Sequence, residues 1–211
     1  MGGSVESGVQ LAFAIAHEVG NHLGGIRLQA HLLDDELDAR EMAEASVLID
    51  GLAGRSGPLL ALLRPLLSDD WRRAGGATWS GALSRVAQQI ENEGTRGVVF
   101  EITGDLDTSV DAPDCDWVHP LLIALVESTL EHLEGRGASA SVRLVLSEED
   151  GGVRLAIVDD GDPEDLSLDA ALRGRPLAVA IARELLGRIA GSVETSEADG
   201  RTTVGLVFPP I

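Results

Sequence analysis

His17, Glu18 and Asn21 stand together in the run AHEVGNHLGG, residues 16–25, and bring an imidazole, a carboxylate and an amide within about one helical turn. One chemistry for His-Glu at the head of a helix is zinc hydrolysis, where H-E-x-x-H places two histidines four apart on one face. Here the fifth position is Asn21 and the next histidine is His22. Five residues turn an α-helix by roughly 140° from its start, so His17 and His22 do not close on one ion. No metal site is expected from this run. A neutral imidazole, whose ordinary pKa is about 6.5, is itself a nucleophile near pH 7. Glu18 could orient the ring or accept its second proton. Asn21 lies one turn on, on the same side, where its amide can position water or a phosphoryl oxygen. His31 stands two heptads from His17 but is followed by Leu32 and lacks that acidic neighbour. His22, His119 and His132 read as surface or helix-end residues.

The elements that carry these residues follow from the apolar spacing. From Val5 to Leu37, apolar residues recur at steps of four and three, through Val9, Ala12, Ala16, Val19, Leu23, Ile26, Ala30 and Leu33. A second stretch repeats the pattern through Met42, Ala45, Ile49, Leu52, Ser56, Leu59, Leu63 and Leu66. Both are heptad seams. The polar link DDELDARE joins them, so an antiparallel helical hairpin is expected over residues 1–67. Ala16 and Val19 are expected to face inward, with His17 on the shoulder, open to solvent. Gly57-Pro58 is expected to bend the second helix, since Pro removes a backbone donor. Two helices have too little interior to bury both seams, and pairing two hairpins into a four-helix bundle implies a homodimer.

After a break at SDDWRRAGGA, residues 68–77, the character changes. VVFEIT, 98–103, reads as a strand; HPLLIALVESTLEHL, 119–133, reads as a helix with Pro120 in its first turn. SVRLVL and VRLAIVDD flank a turn, and PLAVAIARELLGRIAG reads as a helix ending at Gly191. The close is a hairpin with Asp199-Gly200 at its turn. Residues 75–211 therefore read as an α+β sandwich on one mixed sheet.

The formal net charge is −19, with sixteen Arg and no Lys. Such a surface repels nucleic acid, so no DNA or RNA partner is expected. No apolar run near 18 residues is evident, no signal-peptide pattern opens the chain, and the single Cys115 makes no internal disulfide. The expectation is a cytoplasmic protein without a membrane partner. Any cationic contact to a phosphate falls to Arg.

HEVGN resembles the H-box of sensor histidine kinases, H-[ED]-x-x-[NT]. The resemblance implies that His17 is the phosphoacceptor, Glu18 its acid/base partner, and Asn21 the residue that aids dephosphorylation of a receiver domain. The family often has Pro after the Asn, where this chain has His22. Residues 78–209 resemble the GHKL ATPase-type domain of the same kinases, with parts replaced. The N-box, N-L-x-x-N-A, matches Ala124-Leu125-Val126-Glu127-Ser128-Thr129, and Ser128 is a shorter, neutral substitute for the Asn that holds Mg²⁺ between ATP phosphates. VDDGDP matches the first glycine box, with Asp159 at the adenine-binding Asp and Gly161 kept, but Pro163 replaces the next Gly. The second glycine box reads Gly174-Arg175-Pro176-Leu177-Ala178-Val179, keeping only Gly174; Pro176 deletes one phosphate-binding amide. A lid of about ten residues, EDLSLDAALR, is short for covering a triphosphate. ATP binding is therefore expected to be lost.

With no sensor or receiver pattern in these residues, the outline is similar to the ChpT-type histidine phosphotransferases. That resemblance implies a relay in which a receiver aspartyl phosphate donates to His17 and the phosphohistidine passes it to a second receiver. The partner receiver supplies the Mg²⁺. The alternatives are a non-enzymatic dimeric regulator docking a receiver or kinase, and an active autokinase with a divergent pocket.

Overall fold

The computed structural model describes residues 2–33, 38–68, 78–104, 115–134, 136, 140–149, 152–161 and 172–210. Two long helices open the chain, α1 (Gly2–Leu32) and α2 (Ala39–Leu67), packed on each other as the seams require. The start of α2 is fixed by a capping box. The Asp38 carboxylate accepts the Arg40 and Glu41 amides at 2.8 and 2.9 Å, while Glu41 accepts the Asp38 amide at 3.0 Å. Four residues of the connecting link, 34–37, lie outside the described residues, as do 69–77 of the break.

The inward face of α1 differs from the expected one. Leu11, Ile15, Val19 and His22 are buried, whereas Ala16 is exposed along with Val9 and Leu23. The heptad seam straddles two faces. One side packs on α2 and the second domain, and the other is left open in the single chain, with Phe13 74% exposed. Gly57-Pro58, where a bend is expected, lies inside one continuous α2, which runs on through both Pro58 and Pro65. Each proline withholds one amide from the helical ladder, and the flanking turns carry the helix across. Contrary to the expectation of no long apolar run, α2 is long and apolar enough by length and composition to cross a membrane. Its apolar side chains divide among α1, the second domain and an exposed stripe.

The second domain contains α3 (Trp79–Glu93), β1 (Val99–Gly104), α4 (Val118–Leu133), β2 (Ser141–Glu149), β3 (Gly152–Asp159), α5 (Gly174–Arg188), β4 (Ser192–Ala198) and β5 (Arg201–Phe208). The sheet order is β1-β2-β3-β5-β4, with β1 and β2 parallel and the other neighbours antiparallel. That is the mixed sheet expected from the sequence, since β1 and β2 are joined by the crossover through α4. Alternation puts Val142, Leu144, Leu155, Ile157, Val204 and Leu206 in the core beneath the helices. Trp79 and Phe208, both fully buried, meet edge to face at 4.7 Å. The β4–β5 turn has positive φ at Asp199 and Gly200, the geometry a two-residue Asp-Gly hairpin favours. α5 stops at Arg188, with Ala190 in the left-handed region and the Gly191 amide returning to the Leu186 carbonyl at 2.8 Å.

The hairpin rests on this domain through α2 against α4 and α5, and α1 against α5. Arg55 of α2 pairs with Glu131 of α4. Arg188 of α5 donates to the Pro65 and Leu66 carbonyls at 2.8 and 3.0 Å, satisfying acceptors that α2 leaves open at its C-terminus.

Candidate functional site

His17 lies midway along α1 with an exposed side chain, as its place beside the seam predicts. Asn21, one turn later and also exposed, meets it: Asn21 Nδ2 and His17 Nδ1 are 3.3 Å apart. An amide bears a donor and an acceptor on one rotor. With Nδ2–H donated to Nδ1, the ring proton sits on Nε2. With the amide turned over, Nδ1–H donates to Oδ1 and Nε2 presents its lone pair. Asn21 can thus serve either tautomer of the ring.

Glu18 points elsewhere. Its Oε1 accepts the backbone N–H of Gly174 at 3.1 Å, on the first residue of α5. It lines a narrow cleft between hairpin and second domain together with His22, Arg55, Glu127, Ser128 and Gly174. His22 is not a surface residue: it is buried, with Nδ1 3.0 Å from Ser56 Oγ, and Ser56 in turn donates to the Leu52 carbonyl. Nδ1–H is then the donor to Ser56, which makes His22 a packed link across the hairpin. His17 and His22 leave the helix on different faces. Among the described residues no cluster of three His, Cys, Asp or Glu side chains could hold a metal.

The residues that the resemblance assigns to a nucleotide pocket are engaged within the chain itself. Asp159, at the end of β3, is fully buried and paired with Arg175, which is also buried. One guanidinium nitrogen lies 3.2 Å from Oδ1, and the Gly161 amide donates to the same oxygen at 2.7 Å. Burial pushes the Asp159 carboxyl up, while Arg175 and the Gly161 amide pull it back. A Cβ at Gly161 would collide with Asp159 and lie 2.8 Å from the His132 ring, so this glycine is required by the packing of the pair. Ser128 turns its hydroxyl back to the Leu125 carbonyl at 3.0 Å. Gly174, with φ of +53°, gives its amide to Glu18. Pro163 and most of the lid lie outside the described residues.

Arg175 was not among the residues singled out from the sequence, nor were Arg188 and the buried pair of Glu127 with Arg96, 2.8 Å apart. Glu127 is 3% exposed. Burial pushes its carboxyl up to about 7, against the pull of Arg96. The folded chain therefore keeps a proton that the unfolded chain loses near the ordinary value of 4.5. This group's contribution to stability is full below that value and is lost as pH rises through the folded pKa, by about 3 kcal/mol in all. His22 and His119 act with the opposite sign, because burial lowers both. The difference between proteins isolates the carboxyl: Glu127→Gln gains on wild type in urea unfolding free energy from about pH 5 to about pH 7.5. A gap that stays constant with pH contradicts this.

No family model matches the chain. It is 26% identical over 220 residues to the sensory histidine kinase/phosphatase NtrB of Vibrio alginolyticus, covering 94% of this chain and 61% of that protein. The chain thus spans about three fifths of this relative's length. The structure is similar to that of the histidine kinase AdeS of Acinetobacter baumannii, with a TM-score of 0.59 at 15% identity, covering 91% of this chain and 96% of that one. It is similar as well to a bacterial phosphotransferase, with a TM-score of 0.58 at 18% identity and 95% of each chain covered. What the chain shares with these proteins is a fold, the helical hairpin followed by the α+β sandwich of the histidine kinases.

Proposed function

We propose that this chain is a histidine phosphotransferase that relays phosphoryl groups between receiver domains through His17. A ring nitrogen of His17 attacks the phosphorus of a receiver's aspartyl phosphate. The N–P bond forms as the P–O bond to the aspartate breaks, and the carboxylate leaves; a second receiver's aspartate then takes the phosphoryl group by the reverse exchange. The receiver holds the Mg²⁺ that neutralises the moving charge. Asn21 orients the ring.

The observation that carries this reading is an exposed, amide-supported His17 on a chain whose Asp159 is already held by Arg175. An adenine amino group needs that carboxylate as its acceptor, and a buried bidentate pair leaves no room for it. The test is incubation of the full chain with phosphorylated receiver domains, following label onto His17 and off to a second receiver. Labelling from Mg-ATP alone would favour the autokinase. No labelling from either source would favour the regulator.

The same reading includes a homodimer through the open stripe of the hairpin, where Val9, Phe13 and Leu23 of α1 and Met42, Leu60 and Leu67 of α2 are exposed. Covering a side chain such as Phe or Leu is worth about 1.5–3 kcal/mol, and twofold symmetry counts each one twice. Phe13→Asp combined with Leu23→Asp is expected to give a monomer in analytical ultracentrifugation, while helix content is retained. A dimer that survives both changes would mean that another surface joins the protomers.

A further inference from the structure

The N-cap residue of α5 is Arg173, whose side chain makes no capping hydrogen bond, and among the described residues no side chain near it in sequence bonds the first amides. The missing acceptor comes from the other end of the chain, since Glu18 takes the Gly174 amide across 156 residues. A carboxylate at a helix N-terminus is favoured by the exposed amides and by the helix dipole. The far end of α5 is tied down as well. Arg188 holds the last carbonyls of α2, and Gly8 of α1 approaches Leu66 so closely that a Cβ would collide with its carbonyl oxygen. α5 is thus fixed to α1 at one end and to α2 at the other.

We infer that Glu18 is the remote cap of α5, a latch that fastens the second domain to the hairpin, and that Asn21 rather than Glu18 serves the ring of His17. The inference rests, for its consequence on transfer, on the reading of His17 as phosphoacceptor. Neighbouring residues leave a helix about 100° apart, so a Glu18 reaching Gly174 points away from a solvent-facing His17. The latch also puts a carboxylate on the amide that a glycine box would offer to phosphate. One contact therefore joins the domains and closes that amide to nucleotide.

The test uses the ¹⁵N-labelled full chain and two readouts. The first is hydrogen exchange at the Gly174 amide. Glu18→Ala is expected to speed it about tenfold, and Glu18→Gln, whose amide oxygen can accept the same bond, to keep most of the protection. The second readout is the rate of phosphoryl transfer from a phosphorylated receiver. Glu18→Gln is expected to stay within about threefold of wild type, since loss of a general base costs about 10²–10⁴-fold and no base is being removed. Asn21→Ala is expected to slow transfer about tenfold, the worth of one orienting hydrogen bond. The latch is overturned if Glu18→Ala leaves Gly174 exchange unchanged, and the assignment to Asn21 is overturned if Glu18→Gln loses a hundredfold in rate. If wild type takes no label, the phosphotransfer reading fails by itself while the exchange measurement still decides the latch.

Discussion

Replacing His17 with Ala in the full chain is expected to abolish the proposed phosphoryl capture from a phosphorylated receiver, with a loss of more than about 10³-fold in labelling rate. The magnitude follows from the absence of a substitute among the described residues. An imidazole nucleophile must be reachable by a folded receiver and held in one orientation. His31 is reachable, yet no hydrogen bond among the described residues orients its ring. His22 is buried and committed to Ser56. His119 and His132 lie in α4, half-buried in the second domain and away from the open face of the hairpin. His31→Ala is therefore expected to label like wild type. The label on wild type is expected to show the acid lability and alkali stability of a phosphoramidate. Label retained by His17→Ala would assign the chemistry to another residue and rule out a relay through His17.

The elements were legible because their signals are local. The alternating four and three spacing marks both hairpin helices, although the second begins inside the stretch read as a polar link, where Asp38 and Glu41 form a capping box. Asp199-Gly200 marks the last turn, and the order of elements in between marks one mixed sheet. The exposure of His17 and its meeting with Asn21 also follow from a single helix, where spacing decides position. What escaped depends on pairs distant in sequence. Glu18 was assigned to its neighbour His17, but its partner in the fold lies on α5. The pairing of Asp159 with Arg175 crosses a segment whose course no periodicity describes. A signal was present even so: an Arg inside a box built for glycine puts a long cation where close backbone approach is expected. Ser56 was another, the one polar residue in its seam. A buried hydroxyl in that position asks for a partner, and His22 supplies it. Which face of the hairpin stays open could not be read from a seam that is apolar on both sides of its centre line.

The pairing of Arg175 with Asp159 sets the second large expectation. Arg175→Ala removes the counter-charge from a fully buried carboxylate, and breaking such a pair from one side costs about 3–5 kcal/mol in urea unfolding. The loss comes mainly from the stranded charge and only secondarily from the missing contacts. Removing the charge as well therefore restores much of it. Arg175→Met with Asp159→Asn keeps an acceptor for the Gly161 amide, fills the space of the arginine stem, and eliminates the guanidinium Nε, which is buried without a partner among the described residues. The double variant is expected within about 1–2 kcal/mol of wild type, a strongly non-additive result. If instead Arg175→Ala costs less than about 1 kcal/mol, the two side chains are not holding each other in solution. Asp159 would then be free to accept an adenine amino group, and a nucleotide could compete for that carboxylate. The double variant approaches the same issue from the other side. It clears the guanidinium from the position the resemblance gives to adenine, yet Pro176, Ala178 and the Glu18 carboxylate on Gly174 remain where that resemblance puts the phosphates, so Mg-ATP is expected to leave its melting temperature unchanged. A ligand-dependent rise would mean that Arg175 alone keeps the nucleotide out.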